Sequence, residues 1–175
     1  IAVDHPEWCK PTNALYFNLA MKRSIQKASC IIAVSECTRR DVRRNFGAYC
    51  AEVQVIHPGI DTIFAKEDDI ARQMETRRRY NLPQRYVLYV GNIEPKKNIR
   101  TLLRIQERLN QQRPPTKLVI VGKRSWNSRA ELAEIEEQVK GGRTVKLGYV
   151  QRRDLPFIYR MAEVFLFPSA YEGFG

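Results

Sequence analysis

From Tyr86 to Phe167, short apolar runs alternate with segments whose apolar residues recur at helical spacing. That alternation is the pattern of βαβ units built around a parallel sheet, whose strands, covered on both faces, read as continuous hydrophobic runs. Tyr86-Val87-Leu88-Tyr89-Val90 reads as the first strand and Lys117-Leu118-Val119-Ile120-Val121 as the second. Residues 144–147 give the third, and Val164-Phe165-Leu166-Phe167 the fourth. Between them Ile99, Leu102, Leu103 and Leu109 share one helix face, as do Leu132, Ile135 and Val139, and then Leu155, Ile158, Tyr159 and Ala162. Asp154 is placed to cap the last of these helices, with Pro156 in its first turn. The expected class is α/β with a parallel sheet.

The opening of the chain reads as a different module. Phe17, Met21, Ile25 and Ala28 mark a helix face, residues 30–34 a strand, and Ser35 the cap of a helix carrying Val42 and Phe46. A second start follows at Val53-Gln54-Val55-Ile56, with Pro58-Gly59 as the turn after it, which places the domain boundary near Ala51. The division expected is therefore 1–51 and 52–175. With 175 residues the chain has room for one ordinary domain plus a piece of another. Its start at Ile1 rather than Met fits a piece of a longer protein.

Thirty Lys and Arg against 19 Asp and Glu leave a net charge of +11. Such a balance points to anionic partners, whether nucleotide phosphates, acidic lipid headgroups or nucleic acid. The basic residues are spread over many elements and stacking aromatics do not cluster with them, which disfavours a nucleic-acid module. Arg39, Arg40, Arg43 and Arg44 share a helix, read either as a solvated face or as contact with an anionic membrane surface. Cys9, Cys30, Cys37 and Cys50 show no metal-ligand spacing, and Cys30 lies in an apolar run as a small hydrophobe, so reduced thiols and a cytoplasmic setting are expected. No apolar run approaches the roughly 18 residues of a membrane-spanning helix.

The strand ending at Val90 leads into Gly91-Asn92-Ile93-Glu94-Pro95-Lys96-Lys97-Asn98 and then into a helix. A loop of this kind brings backbone N–H groups, a helix N-terminus and two lysines together, which suits a diphosphate. The alternative is a capped turn with solvated lysines. Neither G-x-G-x-x-G nor G-x-x-x-x-G-K-[ST] is present, so a dinucleotide dehydrogenase and a P-loop NTPase are both disfavoured. There is no D-x-D pair, and the adjacent Asp68 and Asp69 would point to opposite faces of a strand. Phosphate neutralisation by side chains and amides, with no metal, is the expectation.

Several motifs recur in one order: His57-Pro58-Gly59-Ile60-Asp61 after Val55-Ile56, Gly91 with Glu94-Pro95-Lys96-Lys97-Asn98, Val121-Gly122, Gly148-Tyr149-Val150, and Phe167-Pro168-Ser169 with Tyr171-Glu172-Gly173-Phe174-Gly175. Together they resemble glycosyltransferase family 4, the group 1 retaining enzymes of GT-B type. The run from Ala28 to Asp41 is similar to the last strand and helix of that family's acceptor-side domain. The resemblance implies Rossmann-like folding, with residues 1–51 as the tail of the acceptor-side domain and 52–175 as a nucleotide-sugar-binding domain truncated at its end.

By the same resemblance, Lys97 contacts the donor diphosphate and Glu172, the first acid of the family's E-x7-E motif, lies by the donor sugar. These two are the expected catalytic residues. Gly91 and Asn92 border the phosphates, although Asn92 stands where relatives often carry Arg, Ser or Thr and so adds no charge. Gly148, Tyr149 and Val150 approach the base through backbone groups, and Gly173, Phe174 and Gly175 lie near the sugar hydroxyls or phosphates. Lys123, Arg124 and Trp126 border the pocket or face solvent, and His5 and His57 are not assigned to chemistry.

The implied activity is metal-independent, retaining transfer of a sugar from a UDP- or GDP-linked donor, a substrate rather than a cofactor. The implied acceptor is a glycan or a lipid-linked acceptor, in polysaccharide assembly, with peripheral membrane contact. This chain alone is expected to bind donor weakly and to transfer negligibly. A basic nucleic-acid module and a degenerate scaffold domain are the competing readings.

Overall fold

The computed structural model describes residues 5–8, 11–49, 51–65, 69–111, 115–125 and 128–174. The chain divides into two compact units, one of Ile1–Ile60 with Tyr171–Gly175 and one of Asp61–Ala170. Each is α/β, and each strand pairing is parallel.

In the Asp61–Ala170 unit the strands are β3 (Tyr86–Val90), β4 (Lys117–Val121), β5 (Thr144–Gly148) and β6 (Val164–Phe165), following β1 (Cys30–Ala33) and β2 (Glu52–Val55) of the other unit. They lie side by side in the order β5-β4-β3-β6. The chain therefore winds outward from β3 through β4 to β5 and then returns to the other side of β3. Ligands of open α/β sheets bind at this reversal, outside the carboxyl ends of the strands.

The helices of this unit are α3 (Ile70–Arg79), α4 (Ile99–Asn110), α5 (Arg129–Lys140) and α6 (Leu155–Arg160). Period-two alternation sorts the strand residues between two cores. Val87 and Tyr89 of β3, with Leu118 and Ile120 of β4, pack under Ile99, Leu102 and Leu103 of α4 and Ile135 of α5. Their neighbours Tyr86, Leu88, Val119 and Val121 point the other way, toward Leu82, Val150 and Ile158 of α6. Both faces are thus covered, as the unbroken apolar runs require.

Most elements fall where the sequence places them, and the departures have physical causes. The fourth strand narrows to Val164–Phe165, although the amide of Leu166 still donates to Leu88 at 2.8 Å before Pro168 ends the pairing. Asp154 occupies the N-cap position of α6 without capping it. It is buried, and its Oδ2 instead accepts from Arg79 Nη1 at 2.9 Å and from the Tyr80 hydroxyl at 2.8 Å, tying α3 to α6. Val139 ends on the exposed side of α5, so that helix buries a shorter face than its spacing predicts. The helix α3 is unforeseen in the sequence: Thr76 is its one buried residue, and Asp69 starts it by accepting from the amide of Arg72 at 2.9 Å. Asp69 thus serves as a helix cap, while Asp68 lies outside the described residues.

One buried and one half-buried phenol make this unit sensitive to alkali. The Tyr86 ring is fully buried and its hydroxyl donates to the carbonyl of Ile158 at 2.7 Å. Burial pushes its pKa up, and that of Tyr159 in the same direction. The neutral phenol is therefore favoured in the fold; its contribution is whole below the ordinary tyrosine value of about 10 and is lost as pH rises toward the folded-state value. Thermal melts from about pH 8 to 11 should show stability falling above about pH 10, with Tyr86→Phe weakening that dependence. A melting temperature level across the range would contradict this.

The other unit contains α1 (Pro11–Lys27), β1 (Cys30–Ala33), α2 (Glu36–Phe46) and β2 (Glu52–Val55). β2 pairs with β1 from Cys30↔Glu52 to Ala33↔Val55, so backbone pairing carries the compact unit to Ile60, past the boundary the sequence places near Ala51. Ser35 caps α2 as expected, its Oγ accepting from the amide of Thr38 at 3.1 Å. On α1, Ile25 is buried while Phe17 and Met21 are exposed, so the expected helix forms without burying the whole expected face. Cys30 and Cys37 are free thiols, and Cys30 is exposed rather than packed as a small hydrophobe, because it stands at the open start of its strand. Cys9 and Cys50 lie outside the described residues. Among those residues no helix is long and apolar enough to cross a membrane.

Candidate functional site

Three strands of the Asp61–Ala170 unit end in glycine, and the three glycines lie in a row. The amide of Gly91, after β3, donates to the Val121 carbonyl at 2.9 Å, and the amide of Gly122, after β4, donates to that of Gly148 at 2.8 Å. A Cβ on Gly122 would stand 1.9 Å from the Gly91 carbonyl oxygen, so the contact between the ends of β3 and β4 requires a residue without a side chain. Gly148 adopts a φ of 68°, the left-handed region that favours glycine. The result is a bare backbone edge at the carboxyl ends of β3, β4 and β5.

Past Gly91 the pairing continues into the loops. Ile93 donates to the Lys123 carbonyl at 2.9 Å, and Ser125 donates to that of Ile93 at 3.2 Å. Pro95–Lys97 then form a short 3-10 turn, closed by Asn98 at a φ of 54°, and α4 begins. The carbonyl of Lys96 accepts from the Ala170 amide at 2.8 Å and from the Ser169 hydroxyl at 3.1 Å. The loops after β3 and β6, which flank the winding reversal, are thereby joined beside Lys97.

The Lys97 side chain is itself placed by an aromatic stack. Its ammonium lies 4.6 Å from the centroid of Phe167, whose ring stacks on Tyr89 at 6.1 Å and on Phe165 at 5.8 Å. Such a face attracts a cation while leaving its remaining donors to other partners. The Tyr89 hydroxyl donates to the Asn92 carbonyl at 3.0 Å, so the same ring system steadies the start of the loop. Neither Phe167 nor Tyr89 is evident as a site residue in the sequence, because ring stacking between strands is a tertiary contact. The repeated glycine at successive strand ends was a legible signal for Gly122.

Of the expected base-side group, Tyr149 is 68% exposed beneath Lys123, whose ammonium lies 4.7 Å from its ring, while Val150 is buried in the core. The Val150 side chain is therefore committed to the core. Arg124 bridges to Ile93, and Trp126 lies outside the described residues. Within this unit the structure thus gathers Gly91, Asn92, Lys97, Gly148, Tyr149 and Val150 along one edge of one sheet.

Glu172, Gly173 and Phe174 belong to the other unit. Glu172 is half-buried there, Phe174 is exposed with its ring 5.9 Å from His57, and Gly175 lies outside the described residues. The Nδ1 of His57 is 3.2 Å from the Val34 carbonyl, a structural contact. His5 stacks on Trp8 at 4.0 Å.

A doubly covered parallel sheet with a glycine-lined carboxyl edge at its winding reversal is an open, doubly wound α/β fold, a class that binds ligands at that edge. Residues 72–175 match the family described as "Glycosyl transferases group 1", and residues 5–64 match "Glycosyltransferase Family 4". The chain belongs to the glycosyl transferases group 1 family. It is 30% identical over 172 residues to O-antigen chain mannosyltransferase B of Escherichia coli, a match covering 97% of this chain and 45% of that protein. Mannosylfructose-phosphate synthase of Agrobacterium fabrum is also 30% identical, over 98% of this chain and 40% of its own length.

Among solved structures, sucrose-phosphate synthase of Thermosynechococcus elongatus matches with a TM-score of 0.72 at 25% identity, over 100% of this chain and 42% of that one. HepE of Anabaena, solved with UDP and glucose, matches with a TM-score of 0.70 at 21% identity, over 97% of this chain and 45% of that one. The fold is that of part of a GT-B glycosyltransferase. The chain spans less than half the length of these relatives.

Proposed function

We propose that this chain is the donor-binding part of a retaining, metal-independent glycosyltransferase that moves a sugar from a nucleotide donor to a glycan or lipid-linked acceptor. The observation that carries this reading is the half-buried Lys97, held over Phe167 beside the glycine-edged ends of β3, β4 and β5. In glycosyl transfer the nucleoside diphosphate departs as negative charge builds on its β-phosphate. A cation fixed in advance stabilises that charge without reorganising solvent at the moment of reaction. Lys97 has this role, Gly91 and Asn92 border the phosphates, and the backbone of Gly148–Val150 meets the base. Glu172 is assigned to the donor sugar by its motif, with Gly173, Phe174 and Gly175 beside it. The names of the relatives support a hexosyl donor and polysaccharide assembly, and HepE's complex with UDP supports a nucleoside diphosphate. The exposed Arg40 and Arg43 of α2 suit peripheral contact with an anionic membrane.

Calorimetric titration of the chain with UDP and with GDP tests the reading. Weak binding of one of the two is expected, unchanged by a chelator, with negligible sugar transfer by the chain alone. Absence of heat from either nucleotide, in a sample whose circular dichroism reports a folded chain, would contradict the donor site. Binding that disappears with the chelator would contradict metal independence.

A further inference from the structure

Glu172 is flanked by two anchors, and both run to one helix. On its amino side the Tyr171 hydroxyl donates to Asp41, and on its carboxyl side the carbonyl of Gly173 accepts from two hydroxyls, Ser35 Oγ and Thr38 Oγ1, the latter at 2.9 Å. Ser35, Thr38 and Asp41 are spaced three apart, so they line one stripe of α2 and the cap before it. The cap geometry couples them further: Ser35 Oγ accepts from the amide of Thr38 at 3.1 Å, and the two hydroxyl oxygens are 3.1 Å apart. A Cβ added to Gly173 would lie 3.4 Å from Thr38 Oγ1, so the segment sits close against the helix. Asp41 is held in turn by Arg44 at 3.1 Å, with its side chain only 17% exposed.

We infer that Ser35, Thr38 and Asp41 form a latch that positions Glu172, a role resting on the assignment of Glu172 to the donor sugar. A short segment rich in glycine samples many conformations, and the direction of a carboxylate it carries follows the backbone. Fixing the residues on both sides removes that freedom and sets the carboxylate before substrate arrives, which is the preorganisation a sugar contact needs. The polar stripe of α2 is thereby a positioning surface, while Arg40 and Arg43 remain exposed.

Thr38→Val keeps the shape of the side chain and removes its donor, Thr38→Ser restores the donor, and Asp41→Ala removes the acceptor of the Tyr171 hydroxyl. Ser35→Ala is the less informative variant, because it also removes the helix cap. Hydrogen exchange of the peptide containing residues 171–174 should quicken about tenfold in Thr38→Val and in Asp41→Ala, as the loss of one part-buried hydrogen bond implies. Thr38→Ser should restore the wild-type rate, and exchange in β3 and β4 should be unchanged. Unaltered exchange at 171–174 in both variants would overturn the latch.

A binding experiment separates positioning from mere packing. UDP and UDP-glucose, with GDP and GDP-mannose in parallel, are titrated into each variant. Affinity for the free nucleotide should stay within about twofold of wild type, while the extra affinity contributed by the sugar is lost. Equal loss for nucleotide and nucleotide-sugar, or no loss of the sugar increment, would overturn the positioning role. Failure of the unmutated chain to bind any of the four would contradict the donor assignment itself, and would remove the positioning role while leaving the exchange result as the measure of the latch.

Discussion

Gly122→Ala should destabilise the Asp61–Ala170 unit by about 4 kcal/mol or more, a large part of the total stability of an ordinary domain. The new Cβ would lie 1.9 Å from the Gly91 carbonyl oxygen and 2.7 Å from its carbon. Both obstacles are backbone, so no rotamer change can relieve them. The ends of β3 and β4 would have to separate, and the bonds from Gly91 to Val121 and from Gly122 to Gly148 would be disturbed together. The φ of 155° at Gly122 adds strain for any L residue. Gly148→Ala is the control. Its φ of 68° is also unfavourable, but nothing lies within 4 Å of the added methyl, so a loss of about 1 kcal/mol is expected. Chemical denaturation of the two variants beside wild type measures both. A Gly122→Ala protein within about 1 kcal/mol of wild type would contradict the close approach of the two strand ends.

Lys97→Ala should lower affinity for the preferred nucleoside diphosphate by about tenfold to a hundredfold, as removal of one charged hydrogen-bonding partner does. In a transfer-competent protein the loss of rate should be larger, about a hundredfold to a thousandfold, because the charge on the leaving diphosphate is greatest in the transition state. Folding should be little affected. The contact with Phe167 contributes only about 0.5–1 kcal/mol at a partly exposed site. Lys97→Arg keeps the charge but replaces a compact ammonium with a planar fork, so it should recover part of the binding and less of the rate. Calorimetry for binding and initial rates for transfer separate the two effects. Wild-type affinity in Lys97→Ala would remove this residue from the site.

How much of this was legible in the sequence depends on whether the signal is local. β3 and β4 were readable to the residue because a central parallel strand is apolar on both faces and bounded by turn residues. The cap at Ser35 was readable for the same kind of reason, as a hydroxyl three residues before a partner amide. α3 was not, because a helix that buries only Thr76 carries no apolar stripe. Asp154 illustrates a competition: its place in the sequence is that of a cap, but Arg79 and Tyr80, more than 70 residues earlier, claim its carboxylate.

The site divides in the same way. Gly91, Lys97, Gly148 and Glu172 stand out by motif, since each follows a strand and lies among glycines or prolines. What holds them could not be read. The stack of Tyr89, Phe165 and Phe167 joins β3 to β6, and the bonds from Ser35 and Thr38 to Gly173 span separations of 138 and 135 residues. Sequence motifs name the groups that meet a ligand. The groups that position them are chosen by the fold.

The proposed donor site puts a nucleoside diphosphate at the carboxyl edge of the β5-β4-β3-β6 sheet, against Lys97. Amide chemical-shift mapping of the labelled chain during titration with UDP or GDP tests it most directly. The expected result is saturable shifts concentrated in residues 91–98 and 148–150, abolished or sharply weakened by Lys97→Ala. Shifts confined to other surfaces, such as the arginine-bearing face of α2, or shifts at 91–98 that persist unchanged in Lys97→Ala, would contradict it.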